Sequence, residues 1–383
     1  MQGNILSHIR LFCYSLKNQK ILRFKLENSL WVFALAIVAM AYIFGLFIDL
    51  TGDSGLYAAI TRQMVESGDW FNLKINGVPY DQKPHLLFWL AGIGVKLFGN
   101  TNFAFKLVPF IYALAGIYFT FRLGKQIFSA DAGKLAALIT GTSQMFFLYL
   151  FDFHTDTVLQ TGVALALWQL AAYLQHKKTI SFIFGFIGIG LAMLAKGPVG
   201  AVLPFFVVLI FLLIQKDFLQ LFHPKWILGV IITLIVILPS LIHLYNNFGT
   251  DGVKFFFITN NVGRITGEYA GSSTEWLFYG HTLLWAFLPW TLFVVVSFIS
   301  EIKSWFIRKT EYGWSFYLLG SVLILLFILS VARGKAPNYF LITITPIAVV
   351  TANWLSRFYI LQEKRQRILQ TSQMVFAGLL FVG

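Results

Sequence analysis

Acidic side chains lie at the ends of apolar runs, where they could take part in proton transfer. Asp53 follows the apolar run 30–48, and Asp156 precedes the run 157–175. A carboxylate at such a boundary can accept a proton, while a nearby Lys or Arg can hold an anion. The residue types therefore predict chemistry on a charged substrate at the edge of an apolar phase, and a phosphate ester on a lipid would supply that charge.

Basic and aromatic residues that could hold the anion also have simpler explanations. They are Lys83 beside Pro84, Arg264 in a polar stretch, and Lys335 with Tyr339 around Pro337. As alternatives, Lys83 could mark the membrane interface, Arg264 could be a solvated loop residue, and Tyr339 could be an aromatic anchor.

The acidic residues have structural alternatives of their own. Asp53 and Asp156 could each cap a helix, because an Asp side chain accepts hydrogen bonds from the free amides of a first turn. Asp152 and His154 could bind a metal, but the sequence offers no further ligands nearby, so we interpret them as polar surface residues. No cofactor is certain on these grounds, and a divalent metal stays possible.

The apolar runs predict an all-α integral membrane protein. Of the 383 residues, 58% are hydrophobic and 12% are charged, whereas soluble domains have about 25% charged residues. A membrane span needs about 20 apolar residues. Eleven runs approach or reach that length: 30–48, 107–121, 135–151, 157–175, 179–195, 197–215, 226–245, 281–300, 314–331, 338–356 and 368–383.

The distribution of basic residues predicts the orientation. Lys and Arg are retained on the cytoplasmic side of short loops. With the N-terminus inside, most of the 29 Lys and Arg residues and the whole formal charge of +13 fall on the inner side. Topology thus explains the basic balance, and no nucleic-acid partner is expected. We predict a multi-pass protein of the inner (cytoplasmic) membrane with its site on the outer face.

The longest outer connection, residues 49–106, is predicted to contain two helices. Asp53–Glu66 has the spacing of an amphipathic helix, and His85–Phe98 is apolar but too short to span a membrane. We therefore expect interfacial helices in this first outer loop.

Short polar stretches match a known family in the same order along the chain. They are Asp53-Ser54-Gly55-Leu56-Tyr57, Lys83-Pro84, Thr155-Asp156, Ala195-Lys196-Gly197-Pro198, Gly263-Arg264, Pro289-Trp290 and Lys335-Ala336-Pro337-Asn338-Tyr339. The series resembles the polyprenyl-phosphate-sugar glycosyltransferases of the ArnT and protein O-mannosyltransferase superfamily. It covers most of the chain, and the ordered series is far more specific than any single motif.

The resemblance implies a GT-C-type multi-span helical bundle over 1–383 and an inverting transfer of a sugar from a polyprenyl-phosphate donor to an acceptor. Asp53 would be the general base on the acceptor hydroxyl or its orienting partner, and Asp156 would position the acceptor or the base. The residues matched to the donor phosphate site are Lys83, Arg264, Tyr339 and Tyr57, with Lys335 and Lys196 as additional candidates.

The donor sugar and the acceptor stay open. The acceptor could be lipid A, another glycolipid, a protein or a wall polymer, and membrane lipid surrounds the protein. Ser54, Leu56 and Gln82 differ from the aminoarabinose-transferring pattern. Family members commonly extend into an outer C-terminal domain, so we expect the natural chain to continue beyond Gly383. A secondary transporter, a lipid flippase and a membrane scaffold are the alternatives from other classes, although spans nearly free of charge do not favour transport.

Overall fold

A computed structural model describes residues 36–260, 263, 275–307 and 313–361 of the chain, with side chains up to residue 357. These residues are mostly helical, which confirms the predicted all-α class. The chain divides into two compact units, Met1–Ile48 and Asp49–Gly383. Helix α1 (Ala36–Gly45) is the described helix of the first unit.

The second unit contains the other helices and one small hairpin. In chain order they are α2 (Asp53–Ser67), β1 (Lys74–Ile75), β2 (Val78–Pro79), α3 (Leu86–Phe98), α4 (Asn102–Ile127), α5 (Ala130–Thr142), α6 (Gln144–Phe151), α7 (Thr155–His176), α8 (Thr179–Lys196), α9 (Val199–Ile214), α10 (Phe218–Leu221), α11 (Lys225–Lys254), α12 (Phe278–Ala286), α13 (Thr291–Ile307), α14 (Trp314–Val331) and α15 (Ile344–Leu361). A π-helix (Phe255–Thr259) follows α11, and a 3₁₀ helix (Pro337–Thr343) precedes α15. Strands β1 and β2 pair antiparallel.

The spans confirm a multi-pass membrane protein. Among the described residues, 6 helical segments are long and apolar enough to cross a membrane, or 7 if α5 and α6, bent by 53°, form one span. The predicted count of eleven stays a prediction, because the run 368–383 and part of 30–48 lie outside the described residues.

Some predicted runs differ in detail from the helices that form, and one of them, the run 135–151, is divided between α5 and α6. The run 197–215 forms α9, which has 16 residues. The run 281–300 is divided between α12 and α13. The break contains Pro289, which lacks an amide donor and disfavours helical backbone in the residue before it. Apolar composition alone does not reveal such a break.

The first long connection contains the two predicted helices, α2 and α3. Helix α3 packs closely on α4, since a Cβ added at Gly94 would lie 2.0 Å from the carbonyl oxygen of Ala104. Glycine is therefore required at this crossing. The position of these helices at a membrane surface stays a prediction.

Helices α7 and α8 form a tightly packed hairpin. A Cβ added at Gly162 would lie 2.6 Å from the amide nitrogen of Ala192, and one added at Gly188 would lie 2.6 Å from that of Ala166. Small residues let the two backbones approach each other in this way. Because a short turn at Lys177 joins the helices, the start of α7 lies beside the end of α8.

Candidate active site

The α7–α8 hairpin brings together a buried pair of opposite charges. The Lys196 Nζ donates a hydrogen bond to Asp156 Oδ1. The Asp156 side chain is 0% exposed and the Lys196 side chain is 8% exposed. A buried carboxylate without a partner would be strongly destabilising. The pair therefore depends on both helix ends being held in register.

The second carboxylate oxygen of Asp156 is also occupied. It lies 2.5 Å from His154 Nδ1 and accepts a hydrogen bond of 3.2 Å from Asn338 Nδ2. Asp156 thus joins the start of α7, the end of α8 and the 3₁₀ helix before α15. The N-cap residue of α7 is His154, with no side-chain cap hydrogen bond, and Asp156 is the second residue of the helix, so the capping alternative for Asp156 is wrong.

His154 connects this buried carboxylate to an exposed one. Its Nε2 lies 3.7 Å from Asp53 Oδ2, and the side chain of Asp53 is 72% exposed. Asp53 begins α2, whose N-cap is Gly52 with no side-chain cap, so the capping alternative for Asp53 is also wrong. We call Asp53, His154, Asp156, Lys196 and Asn338 the Asp156 cluster.

His154 was interpreted from the sequence as a polar surface residue, and the structure shows that this was wrong. It is only 9% exposed. The available signal was its position two residues before an acid at a helix start. The interpretation was wrong because His154 is near Asp53 of α2 only in the folded protein, and Asp53 is far away along the chain.

A second polar contact fixes the start of α2 beside the cluster. Ser54, which is 1% exposed, donates a hydrogen bond from Oγ to Asp152. Lys106, which is 2% exposed, interacts electrostatically with the carboxylates of Asp152 and Asp49. Asp152 therefore ties α2 to the turn before α7, a role that the sequence did not indicate.

Tyr57 packs against the imidazole of His154. The ring centroids are 5.5 Å apart in an edge-on arrangement, and Tyr57 is 2% exposed. Burial, followed by the nearby Tyr80 and the carboxylate of Asp53, raises the pKa of Tyr57 well above its usual value. Its hydroxyl stays protonated at neutral pH and is therefore available as a hydrogen-bond donor.

Tyr339 contacts the cluster at Lys196. Its ring centroid is 5.0 Å from Lys196 Nζ, a distance at which a cation interacts favourably with an aromatic face. Tyr339 is half-buried, and this contact places it at the candidate site. The alternative that it is an interfacial aromatic anchor stays open. Lys335, at 3% exposed, precedes the same 3₁₀ helix.

Lys83, Lys335 and Arg264 are the remaining predicted site residues. Lys83 is half-buried in the connection between β2 and α3. Arg264 lies outside the described residues. The folded chain thus brings together Asp53, Tyr57, Asp156, Lys196 and Tyr339, while the parts played by Lys83, Lys335 and Arg264 stay predictions.

Metal binding was left open by the sequence. In the part of the chain that the structure describes, no group of three or more His, Cys, Asp and Glu side chains is arranged to hold a metal ion. His154 is instead surrounded by protein partners, and Lys196 occupies one oxygen of Asp156.

Sequence comparisons relate the chain to lipid-dependent sugar transferases. Residues 82–243 match the dolichyl-phosphate-mannose-protein mannosyltransferase family. The undecaprenyl phosphate-alpha-4-amino-4-deoxy-L-arabinose arabinosyl transferase of Pseudomonas savastanoi pv. phaseolicola is 28% identical over 360 residues, which are 91% of this chain and 65% of that protein. The enzyme of the same name from Pectobacterium atrosepticum is 26% identical over 93% of this chain and 64% of its own length. The chain thus spans just under two thirds of these relatives.

Solved structures with the same architecture come from bacteria and archaea. ArnT from Cupriavidus metallidurans, bound to undecaprenyl phosphate, superimposes with a TM-score of 0.78 at 21% identity, covering 91% of this chain and 63% of that one. The oligosaccharyltransferase of Archaeoglobus fulgidus has a TM-score of 0.57 at 13% identity, covering 91% of this chain and 54% of that one. Fold and sequence relatives agree: the chain has the fold of the GT-C membrane glycosyltransferases and is similar in sequence to enzymes of that kind.

Proposed function

We propose that the protein transfers a sugar from a polyprenyl-phosphate carrier to a cell-envelope acceptor, with inversion at the anomeric carbon. We place the reaction on the outer face of the inner membrane. The observation that carries the proposal is an exposed carboxylate, Asp53, beside the buried Asp156–Lys196 pair. The arabinosyl transferases named above, which use an undecaprenyl phosphate donor, support this donor class.

Asp53 is assigned the part of general base. Its exposure lets an acceptor hydroxyl approach, and its contact with His154 holds it at the edge of the cluster. Asp156 is buried and saturated with hydrogen bonds, so it acts as a fixed anchor for its neighbours. A positioned base of this kind contributes about 100-fold to 10,000-fold to a rate.

The leaving phosphate needs positive charge, because it gains negative charge as the glycosidic bond breaks. Lys196 is engaged with Asp156. We therefore assign the phosphate to Lys83 and Arg264, with Lys335 as an additional cation. Tyr57 and Tyr339 complete the wall of this site.

An apolar cavity of about 470 Å³ suits the isoprenoid tail of the donor. Its walls come from α7, α8, α9 and α11, and from single residues of α10 and the π-helix. On α8 the lining includes Met193, one turn before Lys196, and toward the other end of the cavity it includes Leu221 and Trp226. A tail lying in this cavity would leave its phosphate end near the Asp156 cluster.

Two acceptor classes have support. A glycolipid such as lipid A, one of the acceptors that the sequence resemblance left open, is the acceptor we propose. A protein O-mannosyltransferase-like reaction is the second candidate, because residues 82–243 match a family described as protein mannosyltransferases.

The test compares wild-type protein with Asp53→Asn in membranes. Both are supplied with a panel of polyprenyl-phosphate sugars and with lipid A or protein acceptors, and released polyprenyl phosphate is measured. We expect release by the wild type and a loss of about 100-fold or more in Asp53→Asn. Asp131→Asn is the matched control, since its side chain is 81% exposed and pairs with Lys134 in α5. Equal release by Asp53→Asn and wild type would remove Asp53 as the base.

A further inference from the structure

His154 lies between two carboxylates of opposite character. Asp156 is buried and Asp53 is exposed, and each faces a different nitrogen of the same imidazole ring. Such a residue can transfer a proton inward from the exposed group.

The hydrogen bond to Asp156 determines which ring nitrogen carries hydrogen. Asp156 is the anionic partner of Lys196, so its Oδ2 accepts and His154 Nδ1 donates over 2.5 Å. In the neutral ring, Nε2 then has a free lone pair. That lone pair is on the nitrogen nearer Asp53, 3.7 Å from its Oδ2, and rotation of the exposed Asp53 side chain can shorten this distance.

We propose that His154 is a positioning residue that receives from Asp53 the proton of the acceptor hydroxyl. This inference rests on the proposed glycosyl transfer. The acceptor O–H bond breaks as Asp53 takes the proton, the acceptor oxygen bonds to the anomeric carbon, and the carbon–phosphate-oxygen bond breaks with its electron pair leaving on the lipid phosphate. The proton then passes from Asp53 to His154 Nε2, which restores the Asp53 carboxylate and leaves an imidazolium.

The charges around His154 favour this uptake. The groups that face it are Asp53 and Tyr57 from α2, Tyr149 from α6, and Asp156 from α7 with Lys196 of α8 behind it, while Asp152 in the turn after α6 acts on the two tyrosines. With His154 neutral, Asp53, Asp156 and Lys196 together carry one net negative charge. The added proton removes that net charge, and an imidazolium between two carboxylates is stabilised by both.

Aromatic packing keeps the ring in the required orientation. Tyr57 contacts His154 at 5.5 Å and Tyr149 contacts it at 6.2 Å between ring centroids, both edge-on. A ring held on two sides and bonded at Nδ1 cannot turn Nε2 away from Asp53. The geometry therefore serves a directional contact as well as packing.

The decisive variant is His154→Asn, because an Asn amide can still donate to Asp156 but offers no basic nitrogen toward Asp53. Folded wild-type, His154→Asn and His154→Gln proteins, purified as monodisperse peaks, are assayed for polyprenyl-phosphate release across acidic to alkaline buffers. We expect kcat of His154→Asn to fall by about 100-fold with little change in KM for the donor. The pH dependence of kcat should also change in the variant, because the imidazole that receives the proton is absent.

The outcomes separate the two proposals. Wild-type release with an unchanged kcat and pH profile in both variants would overturn the role of His154 and leave the proposed function standing. A uniform loss of activity with the wild-type pH profile would indicate a structural role and would also overturn it. No release by the wild type with any donor and acceptor would refute the proposed function, and this inference with it.

Discussion

Replacing Lys196 with Met tests the electrostatic reasoning behind the site. The substitution keeps the length of the side chain and removes its charge. Asp156, at 0% exposure, keeps the hydrogen bonds from His154 and Asn338. Removing one partner of a buried ion pair costs about 3 to 5 kcal/mol. Because two hydrogen bonds remain, we expect a loss near the lower end, about 3 kcal/mol in the free energy of unfolding.

A second variant separates charge from packing. In Asp156→Asn combined with Lys196→Met, neither buried charge remains, so the double variant should lose less than the sum of the single variants, with a coupling of up to about 3 kcal/mol.

Unfolding in detergent micelles, followed by tryptophan fluorescence, measures these differences. Lys134→Met is the matched control: the Lys134 side chain is 72% exposed, and such surface pairs contribute little, so its midpoint should stay at the wild-type value. The reasoning would be refuted by a wild-type midpoint in Lys196→Met, or by a double variant that loses the full sum of the single effects.

Two further predictions concern the stability of the helical bundle. Burial lowers the pKa of His85 to about 4 from an unfolded value near 6.5, so the unfolded chain binds the proton more readily. The free energy of unfolding should therefore fall by up to about 3 kcal/mol as the pH drops from 6.5 through 4. In His85→Gln, unfolding midpoints measured over the same pH series should lack this contribution and vary less with pH. Gly162→Val should destabilise the α7–α8 hairpin by about 1 to 3 kcal/mol, because its Cβ would lie 2.6 Å from the amide nitrogen of Ala192. The control Gly280→Ala, where a Cβ meets nothing within 4 Å, should melt near the wild-type temperature. Equal midpoints for the two variants would contradict the close packing.

The helices that position the site could be predicted from apolar runs, but their ends could not. The runs 157–175 and 179–195 correspond closely to α7 and α8, because continuous apolar sequence reports burial directly. The run 281–300 suggested one span and forms two helices around Pro289. The backbone restriction that Pro289 imposes breaks the run into two helices, and apolar composition does not predict this break.

The acidic residues of the candidate site could be predicted from the sequence, but the contacts that join its residues could not. Asp53 and Asp156 were identified at the edges of apolar runs, and both belong to one cluster. His154 was wrongly assigned to the surface, because its burial depends on Tyr57 and Asp53 from another helix. Lys196 was identified only through the family resemblance, since its partner is 40 residues away and no local pattern connects them.

That separation of 40 residues between Asp156 and Lys196 has a consequence for biosynthesis. The ribosome makes α7 first, so Asp156 enters the membrane environment before its counterion exists. The carboxylate must stay hydrated or protonated until α8 has been completed, because an unpaired charge in the bilayer is costly. Closure of the hairpin through its small residues then joins helix packing to charge neutralisation in a single assembly step. A nascent chain stalled within α8 should therefore be held in the membrane less firmly than one stalled just beyond Lys196.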